Sequence, residues 1–207
     1  MALSKQKTTG FIVGFAIGTV VVIKLILTNS ATVMDSSVAR TRGPAGARVN
    51  IVEFIDFECP ACARGAIELK EYLTRYPQDL RVQVKYFPLM QMHRHALQVA
   101  SYSECVSRQG QYWSFFDSLM PPQAQWSQLV SAQGVFDQMA KQAGADMGKL
   151  KSCLSLDDVS STIMREKALG QSLGVRSTPT YFINNKMVVG SKSLVDELKH
   201  DFPPASP

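Results

Sequence analysis

At 207 residues, 45% of them apolar and without a low-complexity tract, the chain is long enough for one domain with a proper core plus an appendage. Its formal charge of +5 includes Lys5, Lys7 and Lys24 of the N-terminal segment; of its 22 Lys and Arg these three aside leave 19 against 17 acids. That balance excludes the basic footprint of a nucleic-acid binder. Four cysteines suit an oxidising compartment.

Lys5 and Lys7 precede an apolar run of 17 residues, 11–27, interrupted only by Lys24. The run is at the short end for a membrane span. It is read as an uncleaved signal anchor over residues 1–30, a single N-terminal transmembrane helix with the lysines kept inside. The rest of the chain then lies outside the cytoplasmic membrane, facing the periplasm or the cell exterior. A cleaved signal peptide is the competing reading; Ser30 and Ala31 are small enough for it, but Asn29 fits a cleavage site poorly. Residues 31–48, rich in Ser, Thr, Ala, Arg and Gly, read as a flexible tether, with Arg40, Arg42 and Arg48 solvated.

Residues 49–57 form an almost unbroken apolar stretch, the pattern of a buried parallel strand. Its exception is Glu53. A carboxylate in a central strand is costly to bury, so it is either paired, with Lys85 of the next strand as the candidate, or functional.

The strand runs into Asp56-Phe57-Glu58-Cys59-Pro60-Ala61-Cys62, followed by a helical pattern over residues 61–76. Cys59 falls at the N-cap and Pro60 at the first helical position, where a missing N–H costs nothing. A helix N-terminus carries partial positive charge and unpaired N–H groups, so it stabilises a thiolate there. Cys62, one turn on, is placed to resolve a mixed disulfide formed at Cys59. Half a zinc site is the other reading of such a pair. It needs a second ligand pair, and Cys105 and Cys153 stand far apart in the chain, so no metal is expected.

Residues 81–87 alternate as a second strand, completing a βαβ unit. Helical patterns then fill residues 89–173, with Tyr112, Phe115, Phe116 and Leu119 as a core stripe and further helices over 135–143, 147–154 and 157–173. Strands over 180–183 and 186–189 flank an Asn184-Asn185 turn, whose residues tolerate positive φ. Gly190 and a short helix over 194–199 close the pattern. The order is βαβ, helical block, ββα: a sheet unit split by an insertion. His93 and His95, after the second strand, are read as loop residues outside the site.

These residues resemble the DsbA-like branch of the thioredoxin superfamily over residues 49–200. Three segments carry the resemblance: residues 53–62 around the cysteine pair, residues 175–184 (Val-Arg-Ser-Thr-Pro-Thr-Tyr-Phe-Ile-Asn), and Glu104-Cys105 with Gly110-Gln111-Tyr112-Trp113. The resemblance implies an α/β thioredoxin-like fold with the helical block inserted at about 89–173. It makes Cys59 the nucleophile, Cys62 the resolving thiol, and Thr178-Pro179 a cis-proline loop that pairs with the substrate backbone. It puts Glu53 where relatives bury an acid that relays protons.

The resemblance also suggests a structural disulfide between Cys105 and Cys153, which would contribute roughly 4 kcal/mol by restricting the unfolded chain. No organic cofactor is implied. The expected partners are cysteine-containing exported proteins and a quinone-linked membrane oxidase of the DsbB or vitamin K epoxide reductase-like type. The expected activity is thiol–disulfide exchange that introduces disulfides. Reduction or isomerisation on the same fold, and a client-binding module without catalysis, are the alternatives. Strongly oxidising relatives often carry a histidine between the cysteines; here Pro60-Ala61 leaves the helix N-terminus as the main stabiliser.

Overall fold

The structure is a computed structural model and describes residues 38–203. Five strands form one sheet in the order β1-β3-β2-β4-β5, with β1 at Thr41–Arg42, β2 at Val49–Ile55, β3 at Leu80–Tyr86, β4 at Thr180–Ile183 and β5 at Lys186–Val189. β2 and β3 run parallel, and the other three pairs are antiparallel. The crossover between β2 and β3 is helix α1 (Pro60–Arg75), begun by the proline and ended before Pro77. Every residue of β2 and β3 except Asn50 and Arg81 is buried, as strands covered on both faces require.

The inserted block consists of α2 (Ala96–Ser107), α3 (Tyr112–Leu119), the single turn α4 (Gln123–Trp126), α5 (Gln133–Gln142), α6 (Met147–Leu154) and α7 (Asp157–Ser172). Tyr112, Phe115, Phe116 and Leu119 are all buried, so the predicted stripe of α3 is core. Cys105 of α2 and Cys153 of α6 form a disulfide with sulfurs 2.05 Å apart. α7 crosses β3 at Gly170, where a Cβ would lie 2.9 Å from the rings of Phe54 and Phe87. The last helix, α8 (Ser191–Asp201), packs against α1.

Strand and helix ends differ from expectation by a residue or two, except at the start of the helical block, expected from 89 but begun by α2 at Ala96, and at α8. It extends a turn further toward the hairpin than the pattern over 194–199 suggests. Its apolar anchors, Leu194 and Leu198, sit one turn apart, so the flanking polar turns carry no periodic signal. The hairpin turn is as read: Asn184 and Asn185 have φ of 46° and 71°.

The tether expectation is corrected at its C-terminal end. Residues 38–40 form a 3-10 turn, and β1 pairs with β3. Arg40 is only 4% exposed. Its guanidinium grips Glu166 of α7 with two hydrogen bonds (2.8 and 2.6 Å), donates to the Val84 carbonyl (3.1 Å), and lies 4.2 Å over the Tyr86 ring. Glu166 also accepts the Tyr86 amide at 2.8 Å, so the ion pair is hydrogen-bonded into the sheet. Arg42 stacks on Trp113 and pairs with Asp117, while Arg48 covers Phe202. Among the described residues no helix is long and apolar enough to cross a membrane. The anchor expected over residues 1–30 and the first part of the tether lie outside the described residues.

Removing Arg40 leaves the Glu166 carboxylate buried without a counter-charge. Arg40→Ala is therefore expected to destabilise the domain by about 3–5 kcal/mol, measured by urea unfolding; a loss below about 1 kcal/mol contradicts the structural role assigned to this pair.

Candidate active site

Cys59 caps α1 with extended backbone (φ −76°, ψ 121°), and Pro60 occupies the first helical position. Its carbonyl accepts the amides of Cys62 and Ala63 at 3.0 and 3.2 Å, which closes the first turn around the sulfur. The other wall is the loop after α7, where the Thr178–Pro179 peptide bond is cis. The Cys59 sulfur lies 3.3 Å from the Thr178 carbonyl, to which it donates when protonated, so two segments 119 residues apart meet at the reacting atom. Cys59 is 8% exposed and Cys62 is fully buried; both are free thiols.

The two sulfurs are electrostatically unequal. The Cys59 pKa is lowered to about 5, first by a hydrogen bond from the Cys62 thiol. Burial opposes this; Thr178 and the amides of Cys62 and Ala61 add to the lowering. Cys62 moves the other way, raised well above the usual thiol range by burial and then by the neighbouring Cys59 sulfur. Cys59 is thus the thiolate at neutral pH, and Cys62 keeps its proton.

Glu53 lies beneath the pair, fully buried. Burial pushes its carboxyl up to about 8, the Tyr181 hydroxyl opposes that rise, and the Cys59 charge adds to it. Tyr181 is its register partner across the β2–β4 pair. Among the described residues neither carboxylate oxygen has a partner at hydrogen-bond distance. A Cβ at position 65 of α1 would collide with the Tyr181 hydroxyl, which accounts for Gly65 beneath the active-site turn. Lys85 is not the partner the sequence offered. It pairs in register with Phe54, whereas Glu53 faces Val84, so the two charged side chains leave opposite faces of the sheet. Glu53 also borders a small pocket lined by Arg42, Lys70, Trp113 and Asp117.

Two acids that sequence reading left unassigned hold this arrangement in place. Buried Asp56 accepts the Glu58 amide at one oxygen (2.9 Å) and the Leu89 amide at the other (2.7 Å), which also meets the His93 ring at 2.9 Å. Glu58 accepts the His95 amide at 2.6 Å, which caps α2, and the Gln123 side chain donates to the Glu58 carbonyl. The residues flanking Cys59 are thereby fastened to the loop after β3 and to the inserted block. The signal was available: carboxylates closing an apolar strand need partners for the same reason Glu53 does. The identity of those partners was not. His93, set aside as a loop residue, belongs to this scaffold.

A family model described as thioredoxin matches residues 35–199. The chain belongs to the thioredoxin family. Among solved structures it resembles BdbD from Bacillus subtilis (TM-score 0.67, 20% identity, covering 78% of this chain and 91% of that one). It also resembles a periplasmic thioredoxin-like protein from Salmonella enterica serovar Typhimurium (0.67, 22%, covering 84% and 95%). With a further likeness to α-DsbA1 from Wolbachia pipientis (0.66, 17%, covering 84% and 96%), they establish the DsbA-like form of the thioredoxin fold. Of curated relatives it is similar to the Na(+)/H(+) antiporter NhaA of Herminiimonas arsenicoxydans, 27% identical over 160 residues, 76% of this chain and 24% of that protein. The chain spans about a quarter of the length of the curated relatives it matches. Within the thioredoxin fold, a nucleophilic thiolate at a helix N-terminus with a protonated thiol one turn on is the arrangement of a thiol–disulfide oxidoreductase.

Alkylation of Cys59 by iodoacetamide is expected to titrate with a midpoint near pH 5; a midpoint near 8.5 contradicts the account of its thiolate. Glu53→Gln tests the buried acid through stability. The unfolded carboxyl loses its proton near 4.5 and the folded one near 8, so between those values the folded state binds more protons and loses stability as pH rises. Relative to the parent protein, the variant should gain on the order of a few kcal/mol from pH 4.5 to pH 8 and show no gain below pH 4. Parallel stability curves contradict the assignment.

Proposed function

We propose that this protein is an exported, membrane-tethered thiol–disulfide oxidoreductase that donates the Cys59–Cys62 disulfide to client proteins. The observation that carries this reading is the opposed acidity of the two sulfurs beside the cis-proline loop. A client thiolate attacks Cys59, the sulfur–sulfur bond breaks, and Cys62 leaves as a thiolate. Glu53, protonated up to about pH 8, lies below it as the proton donor. A second client thiolate then attacks the client sulfur of the mixed disulfide and expels Cys59, which needs no proton because its thiolate is stable. The client gains one disulfide, and the protein keeps the two electrons as a dithiol. Thr178 supplies backbone for strand-like pairing with the client on the far side of the sulfur.

Return to the disulfide form requires an electron acceptor, and a quinone-linked membrane oxidase fits a tethered enzyme. The apolar run over residues 11–27 and its flanking lysines support the tether. The periplasmic description of the Salmonella neighbour and the membrane-transport name of the antiporter relatives agree with work at that surface. The low Cys59 pKa favours the oxidising direction over reduction or isomerisation, because whatever stabilises the reduced form makes the disulfide a better oxidant.

The test is oxidation of a reduced peptide carrying two cysteines. Cys59→Ser should abolish the reaction, a loss of roughly 1,000-fold or more, and Cys62→Ser, given the same peptide in its disulfide form, should accumulate a mixed disulfide as the Cys59 thiolate attacks it and expels one peptide thiolate. Glu53→Gln should slow turnover roughly 10- to 100-fold with Cys59 alkylation intact. Full turnover by Cys59→Ser overturns the assignment.

A further inference from the structure

A cavity of about 300 Å³ opens beside the cis-proline loop. Its two walls are the loop after β3, with Met90 and Met92, and the end of α7 with the segment that follows it, ending at Val175 and Arg176. Phe87 lies in the apolar lining, and Met90 and Met92 are 41% and 75% exposed. Both walls are tied to the reacting sulfur. The first is fastened to Asp56 through Leu89 and His93, and the second runs on from Arg176 into Thr178, two residues later.

The charge on this cavity is one-sided. Lys167 and Arg176 line it, and among the described residues no acidic one does. The Lys167 ammonium donates to the Pro88 carbonyl (2.7 Å), and Arg176 donates to the Gln171 and Val175 carbonyls (3.2 and 3.4 Å). These partners are neutral. Among the described residues neither cation forms an ion pair, and an ammonium with three donors and a guanidinium with five retain further N–H groups. Methionines give the apolar wall an adaptable surface.

We propose that this cavity is a client subsite. It receives a segment next to the client's reacting cysteine that carries an acidic side chain beside a bulky apolar one. The inference rests on the oxidoreductase reading above. A client strand paired with the Thr178 backbone and reacting at Cys59 continues past Ser177 and Arg176 to the cavity mouth. There its apolar side chain packs on Phe87 and the methionines, and its carboxylate meets Arg176 and Lys167. Clients therefore differ in rate according to the charge of this flank.

The test uses reduced two-cysteine peptides with a Leu-Asp, Leu-Asn or Leu-Lys flank, assayed for the second-order rate constant of their oxidation by the full chain in its Cys59–Cys62 disulfide form. Because the subsite can receive either flank, the pair is placed on each side of the first cysteine in turn. With the pair on one side, the Leu-Asp peptide should exceed the Leu-Lys peptide by roughly 5-fold or more, the scale of two exposed charge pairs. The preference should fade in 1 M salt, where screening acts within about 3 Å. The charge-reversed variant Lys167→Glu with Arg176→Glu should invert the order of these two peptides. Equal rates for all three flanks on both sides, or an order the variant does not change, overturn the subsite while oxidation itself stands. If no peptide is oxidised although dithiothreitol reduces the Cys59–Cys62 disulfide, the oxidoreductase reading fails instead.

Discussion

Only one negative charge can be held comfortably beneath the active-site turn, and the structure assigns it to Cys59. The Cys62 thiol and the first amides of α1 stabilise that sulfur as a thiolate. Cys62 and Glu53, both fully buried, stay protonated at neutral pH because burial and the Cys59 charge disfavour a second ion. On the proposed cycle, a proton is thereby kept directly below the thiol that alternately leaves and attacks. Pro60-Ala61 between the cysteines contributes no cation, so the hydrogen bonds to Cys59 account for the lowering.

That charge arrangement depends on the position of the helix N-terminus, and two carboxylates secure it. Asp56 joins the turn to the loop after β3, and Glu58 joins it to α2 and α4. The inserted block is thus part of the active-site support, since its first helix is capped by the residue preceding the nucleophile. The Arg40–Glu166 pair does the same at the other edge. It fixes α7 to β3, and α7 leads into the loop that brings Thr178 to Cys59.

Most of the fold was legible because its signals are local. Apolar runs mark β2 and β3, the stripe of α3 repeats at helical spacing, and Asn184-Asn185 supplies the positive φ of the hairpin turn. The reacting segments were legible as motifs, each with its own chemistry. What escaped were pairings between distant polar residues. Arg40 and Glu166 are 126 positions apart, and Arg40 stands in a stretch whose composition reads as tether. Lys85 was a candidate partner for Glu53 because it lies on the neighbouring strand; a one-residue difference in register sends the two to opposite faces. Asp56 and Glu58 stood inside the most informative motif, yet their partners come from loops whose course only the folded chain defines.

The central claim is that hydrogen bonds from Cys62 and the start of α1 stabilise the reduced, thiolate form enough to make the disulfide an oxidant. The direct measurement is the reduction potential of the Cys59–Cys62 pair in the full chain, equilibrated against glutathione buffers. The account predicts a value near or above roughly −180 mV. A value near roughly −270 mV, the range of thioredoxin itself, contradicts it and reverses the direction of electron flow.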